Sequence, residues 1–135
     1  MTRYMLDTNH LSPLVTQGHH LRIRVLELQT QGNTFDIAVP ALTEFLFGIL
    51  LTPRVATNLE EWEELQSKFG FLGIGRREAE QAADLQATLR RKGWQLATID
   101  ALIATVALRD ELILLTTDKD FDAVPNLRTQ NWLIR

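Results

Sequence analysis

Short apolar runs alternate along this chain with longer stretches in which apolar positions recur at helical spacing. Arg3-Tyr4-Met5-Leu6 is the first short run. It stops at Asp7-Thr8-Asn9 and restarts as a helix-like segment from Leu11 to Gln17, ending near Gly18. A second helix is predicted over Leu21 to Gln29, with Leu21, Val25 and Leu28 on one stripe, and Gln31-Gly32-Asn33 turns the chain into a strand from Phe35 to Val39. Pro40 suits the opening turn of the next helix, Ala41 to Leu51, which is apolar nearly all round, the pattern of an element buried on several sides. Thr52-Pro53 ends it. Asn58-Leu59-Glu60-Glu61 has the spacing of a capping box and opens a helix running to about Phe69. Phe71 to Ile74 reads as a short strand, and Arg76 to Lys92 as the longest amphipathic helix, stopped by Gly93. Thr98 opens a helix from Ile99 to Arg109, Leu112 to Leu115 is a buried strand, and Thr129 to Ile134 supplies an edge strand.

Strands separated by helices of these lengths require crossover connections. The expected fold is therefore α/β: one domain over residues 1–135, with a mainly parallel sheet of four to five strands flanked by helices on both faces. A chain of 135 residues with 45% hydrophobic content supports one core. Without cysteine there is no disulfide framework and no thiolate zinc site, which fits a reducing cytoplasm. No apolar leader precedes Asp7, and the longest apolar run, Phe45 to Leu51, falls far short of the roughly 20 residues that span a bilayer.

Four acids change this picture from fold to chemistry. Asp7 ends the first strand, and in open α/β sheets ligands bind beyond the carboxyl ends of the strands. Its structural alternative is to cap the next helix, although Thr8 and Asn9 offer the same service. Glu44 is the only charged residue between Pro40 and Pro53, and a carboxylate buried there requires a partner or a cation. Asp100 lies in the first turn of a helix, where its interaction with the helix dipole is explanation enough when it is taken alone. Asp118 follows a strand as Asp7 does, with Thr116 two residues earlier able to hold its carboxylate; the alternative is an ordinary Asx turn, with Asp120 as a spare acid. Like charges about 4 Å apart repel by roughly 4 kcal/mol at an effective dielectric near 20, so a convergence of these acids calls for a cation. Oxygen donors without cysteine or paired histidine favour Mg²⁺ or Mn²⁺ over zinc. His10 is a candidate for contact behind Asp7, whereas His19 and His20 read as solvent residues.

The formal charge of −3 argues against a nucleic-acid partner until the four acids are set aside, which leaves the remainder close to neutral with basic clusters at Arg76-Arg77 and Arg90-Arg91-Lys92. Solvated helix faces account for both clusters, and no aromatic stacking platform is legible.

The series Tyr4-Met5-Leu6-Asp7-Thr8-Asn9, Thr43-Glu44-Phe45 with Gly48, Asp100-Ala101-Leu102-Ile103-Ala104 and Leu114-Leu115-Thr116-Thr117-Asp118-Lys119-Asp120-Phe121 resembles the PIN domain family, and within it the VapC-like toxins of prokaryotic toxin–antitoxin pairs. The resemblance covers essentially the whole chain; it departs from the family at Pro40-Ala41-Leu42-Thr43, where the family varies, and carries nothing specific between Gly70 and Gly75. It implies a metal-dependent ribonuclease with Asp7, Glu44, Asp100 and Asp118 as catalytic acids. Mg²⁺ or Mn²⁺ would be held by Asp7, Asp100 and Asp118, with Thr116, Asn9 and Asp120 in support. It also implies an RNA substrate, a homodimer, and an antitoxin whose tail covers the acidic crevice. Two other readings remain: a non-catalytic partner-binding module of the same fold, and a phosphatase with Asp7 as nucleophile, for which Asn9 stands where a second carboxylate is usual.

Overall fold

Five short strands, β1 (Arg3–Leu6), β2 (Thr34–Ala38), β3 (Gly70–Leu72), β4 (Ile113–Leu115) and β5 (Thr129–Gln130), form one parallel sheet in the order β3-β2-β1-β4-β5 in the computed structural model, which describes residues 1–134. Parallel neighbours need crossovers. These come from α1 (Thr8–Leu11), α2 (His20–Thr30), α3 (Val39–Leu50), α4 (Val55–Leu65), α5 (Arg76–Arg91) and α6 (Thr98–Arg109). Successive strand residues point to opposite faces, yet Met5 and Leu6, Ile37 and Ala38, and Leu114 and Leu115 are all buried. The sheet is therefore covered on both sides, as the apolar runs require.

Chain direction fixes where chemistry can occur. Beyond β1 the chain adds strands on one side (β2, β3) and later returns to add β4 and β5 on the other, so β1 and β4 flank the switch in strand order. Their carboxyl ends are side by side, with Leu6 opposite Leu115 and the Asp7 N–H donating to the Leu115 carbonyl at 3.0 Å.

Several expectations are corrected. The first helix starts earlier, at Thr8, and passes into a 3₁₀ turn over Ser12–Val15, because Asp7 itself caps it. Asn58 does not open a helix: α4 already starts at Val55, the Asn58 amide donates to the Thr52 hydroxyl at 3.2 Å, and Glu61 pairs with Arg22 of α2 at 2.8 Å. A preceding turn and a distant arginine thus claim the two residues a capping box needs. α3 is not buried on several sides. It buries Ala41, Phe45 and Ile49, while Phe47 is 62% exposed and Leu51, just past its end, 70%. The last strand is only Thr129–Gln130, and the chain then turns around Trp132, whose ring lies under the Arg24 guanidinium at 3.8 Å and edge-on to Tyr4 at 4.8 Å. His19 and His20 are half-buried with stacked rings, and the Nδ1 of His19 accepts from the Leu21 N–H. Gly70 opens the edge strand where β3 crosses Asp36, and a methyl group there would run into the Asp36 carboxylate.

Candidate active site

Asp7 is the most constrained of the four acids. Its Oδ1 accepts from the Thr8 N–H at 2.9 Å; its Oδ2 accepts from the Thr116 hydroxyl at 2.7 Å and from the Asn9 amide at 3.2 Å. A carboxylate has about four lone-pair sites, so three donors orient it and leave one acceptor position. The sequence places Thr116 as a support for Asp118. Instead its hydroxyl donates to Asp7 and accepts from the Asp118 N–H at 3.0 Å, because β1 and β4 are neighbours.

Behind Asp7 a polar chain runs through Asn9 and His10 to the turn after β5. Asn9 Oδ1 accepts from the Thr117 N–H at 3.1 Å and lies 2.7 Å from His10 Nδ1. Nε2 of His10 accepts from the Trp132 backbone N–H at 3.0 Å, so the ring proton sits on Nδ1 and is donated to Asn9. Burial lowers the His10 pKa to about 4, consistent with a neutral ring. His10 therefore touches Asn9 rather than Asp7 and ties the Trp132 turn to the acid's support. Replacing it with alanine should cost about 2–4 kcal/mol, since a cavity opens and the Trp132 N–H loses its acceptor; the urea midpoint measures this.

Glu44 lies on the exposed side of α3, contrary to the buried position expected for it, and there is no solvation cost to explain. It still reaches the crevice, because α3 packs against α1 and the Thr8 hydroxyl donates to Glu44 Oε1 at 3.0 Å. The Asp7-Thr8-Asn9 triplet thus divides its labour: Asp7 caps, Thr8 holds Glu44, and Asn9 bridges to Asp7 and Thr117. Asp118 is half-buried and does make the Asx turn, its Oδ1 accepting from the Asp120 N–H at 2.9 Å; Asp120 itself is exposed.

Asp7 and Asp100 feel the charge of the other acids. Burial raises the Asp7 carboxyl above the usual range; hydrogen bonds from Thr116 and Thr8 oppose this, and Glu44 and Asp118 push it further up. Asp100 goes up to about 6, through burial first and then through Asp7, Asp118, Glu44 and Asp120, with no hydrogen bond to offset them. Among the described residues, none of the four pairs with a lysine, arginine or histidine. Nor do three of them close to the spacing of a finished coordination cage.

The comparisons with known proteins agree with this geometry. A model of the PIN domain matches residues 4–127. Ribonuclease VapC2 of Rickettsia felis is 27% identical over 130 residues, covering 96% of this chain and 97% of the relative. The tRNA(fMet)-specific endonuclease VapC of Salmonella typhimurium is 26% identical over 136 residues, covering 98% and 99%. In the crystal structure of VapBC2 from Rickettsia felis bound to a DNA fragment from their promoter, one chain superposes with a TM-score of 0.84 at 26% identity, covering 97% of this chain and 99% of that one. With the family model spanning nearly the whole chain and the sheet order, the strand-end acids and the solved fold all in agreement, this protein belongs to the PIN domain family.

Proposed function

We propose that this chain is a metal-dependent endoribonuclease that acts in the cytoplasm as the toxin of a toxin–antitoxin pair. The observation that carries the reading is the cluster at the switch in strand order: carboxylates from the end of β1, from α3, from α6 and from the segment after β4, whose charges push the carboxyls of Asp7 and Asp100 up and which are neutralised by no basic side chain among the described residues. The ribonuclease and endonuclease names of its relatives support the substrate class.

The donor set fits a small hard cation. Mg²⁺ keeps several waters and takes only one or two carboxylates directly, which suits acids that share a field without forming a closed cage. Asp7, Asp100 and Asp118 are the residues to hold it. A divalent cation so bound polarises a scissile phosphate and makes a water more acidic. The chain's own residues do the remainder. Thr116, Asn9 and the Thr8 N–H fix Asp7 in one orientation. Glu44, held through one oxygen by Thr8, keeps the other for a proton leaving an attacking water. Incubating the protein with structured RNAs in Mg²⁺, with and without EDTA, tests the reading: cleavage that EDTA abolishes is expected, and cleavage unaffected by EDTA, or none with any RNA, contradicts it.

The same reading supplies two protein partners. An antitoxin segment bearing an arginine would place its guanidinium among the four acids, where charge complementarity favours it. A second copy of the chain would cover the apolar stripe of Phe47, Leu50 and Leu51 on α3 and its C-terminal residue, since exposed side chains of this size grouped on one face mark an association surface. Phe47→Glu is expected to leave a monomer by light scattering with its circular dichroism unchanged.

A further inference from the structure

Alongside the acids runs a groove of about 720 Å³ between α5 and the segment leading into α6, lined by Gln86, Arg90, Trp94, Gln95, Ala97 and Asp120 among others. Two of these residues tie it to the acidic crevice. Ala97 immediately precedes α6, whose first turn carries Asp100, and Asp120 is one of the charges that raises Asp100. The groove therefore ends where the crevice begins.

Trp94 is the feature that the fold does not account for. It is 59% exposed, and its backbone is nonetheless fixed. Gly93 adopts a left-handed conformation (φ 87°) and donates to the Arg90 carbonyl at 3.0 Å, while the Trp94 N–H donates to the Leu89 carbonyl at 3.0 Å, the paired bonds of a Schellman cap. The Gln86 amide then ties the following segment back to α5 through the Leu96 carbonyl at 2.9 Å and the Thr98 hydroxyl at 3.2 Å. An exposed indole thus lines the groove from a fixed backbone position, with Arg90 in the same lining and the exposed Arg91 and Lys92 next to it in the chain. Favourable interaction with the C-terminal dipole of α5 explains the basic run but not the aromatic ring that follows it.

Resting on the ribonuclease reading above, we propose that this groove is a subsite for an unpaired nucleotide of single-stranded RNA, whose base stacks on Trp94 while its phosphodiester lies beside Arg90 and the strand continues past Asp120 to the acids. Unpaired bases are recognised by stacking on aromatic rings and guanidinium planes, and a groove that carries an exposed ring beside a guanidinium matches a nucleotide better than an apolar peptide. The requirement is for single-stranded character at one flank of the cleaved bond, with little preference for base identity.

The test uses the whole protein and a single-stranded oligoribonucleotide that the wild type cuts in Mg²⁺. Trp94→Ala should raise KM about ten-fold while kcat stays within about two-fold, and Trp94→Phe should restore most of the loss because a ring remains to stack on. An unchanged KM in Trp94→Ala overturns the subsite, also where that variant instead loses affinity for a protein partner. Equal losses in the Phe and Ala variants overturn it too, since stacking would not be the interaction removed. Failure of the wild type to cut any RNA strikes the ribonuclease reading itself and takes the subsite with it.

Discussion

Asp7→Asn is expected to reduce RNA cleavage by about a hundred- to a thousand-fold while leaving the metal-free protein at least as stable as the wild type, an effect of the order seen when one charge-stabilising group is removed from a site. The two halves follow from the same geometry. Asp7 is the acid whose orientation is most completely fixed, so its charge is the hardest for the others to replace. That charge is also disfavoured in the folded chain, because burial and the neighbouring Glu44 and Asp118 hold the carboxyl above its ordinary range. An asparagine keeps an oxygen for the Thr8 N–H, and the Thr116 hydroxyl, which has a second lone pair beside the one the Asp118 N–H uses, can accept from its amide; only the longer bond from the Asn9 amide, at 3.2 Å, loses its acceptor, and relief of the buried charge offsets it. Steady-state cleavage and a urea melt in chelator measure the two halves. Clear destabilisation of the metal-free variant would make Asp7 a structural residue.

Asp100→Asn should stabilise the metal-free protein by about 1–2 kcal/mol at pH 8, and the gain should vanish as the pH falls through 6 towards 4. The sign is fixed by the direction of the shift. An acid whose folded pKa is raised from 3.8 to about 6 binds its proton more tightly when folded, so the penalty of its charge is fully present above pH 6 and is relieved below it. The full shift corresponds to about 3 kcal/mol, which is reduced here because the carboxylate is only half-buried and solvent screens it. His10 works in the opposite sense: with its pKa lowered to about 4, its stability contribution is complete above its ordinary 6.5 and is lost as the pH drops. The wild-type pH profile therefore mixes the two. Subtracting the profile of Asp100→Asn cancels His10 and isolates the acid, so guanidinium melts of both proteins at pH 8, 6 and 4.5 are the measurement.

The parallel sheet and the four acids were legible because both depend on local pattern. Apolar runs too short for helices, each followed by a helical stretch, leave few alternatives to a crossover sheet; Asp7 and Asp118 are visible in the chain as acids after strands, Asp100 as an acid in a first helical turn and Glu44 as a lone charge in an apolar helix. Pairings across the sheet were not. Thr116 was assigned to its sequence neighbour Asp118, whereas the adjacency of β1 and β4, fixed only by the fold, gives its hydroxyl to Asp7. The environment of Glu44 was misread for a different reason. Apolar residues all round α3 look the same in a sequence whether they face a core or a surface, and Phe47, Leu50 and Leu51 face outward. Trp94 passed unnoticed because nothing in Lys92-Gly93-Trp94 distinguishes an exposed ring from a packed one; a left-handed glycine and two backbone hydrogen bonds make that distinction.

Thermal melts of wild type and Asp100→Asn over a Mn²⁺ titration test most directly whether these acids are gathered to hold a cation. A ligand that binds only the folded state raises stability by RT ln(1 + [L]/Kd), so the wild-type melting temperature should climb with Mn²⁺ and keep climbing past saturation of the site, with a clearly smaller rise in Asp100→Asn. A wild-type melt indifferent to millimolar Mn²⁺, or the same rise in both proteins, would contradict the account.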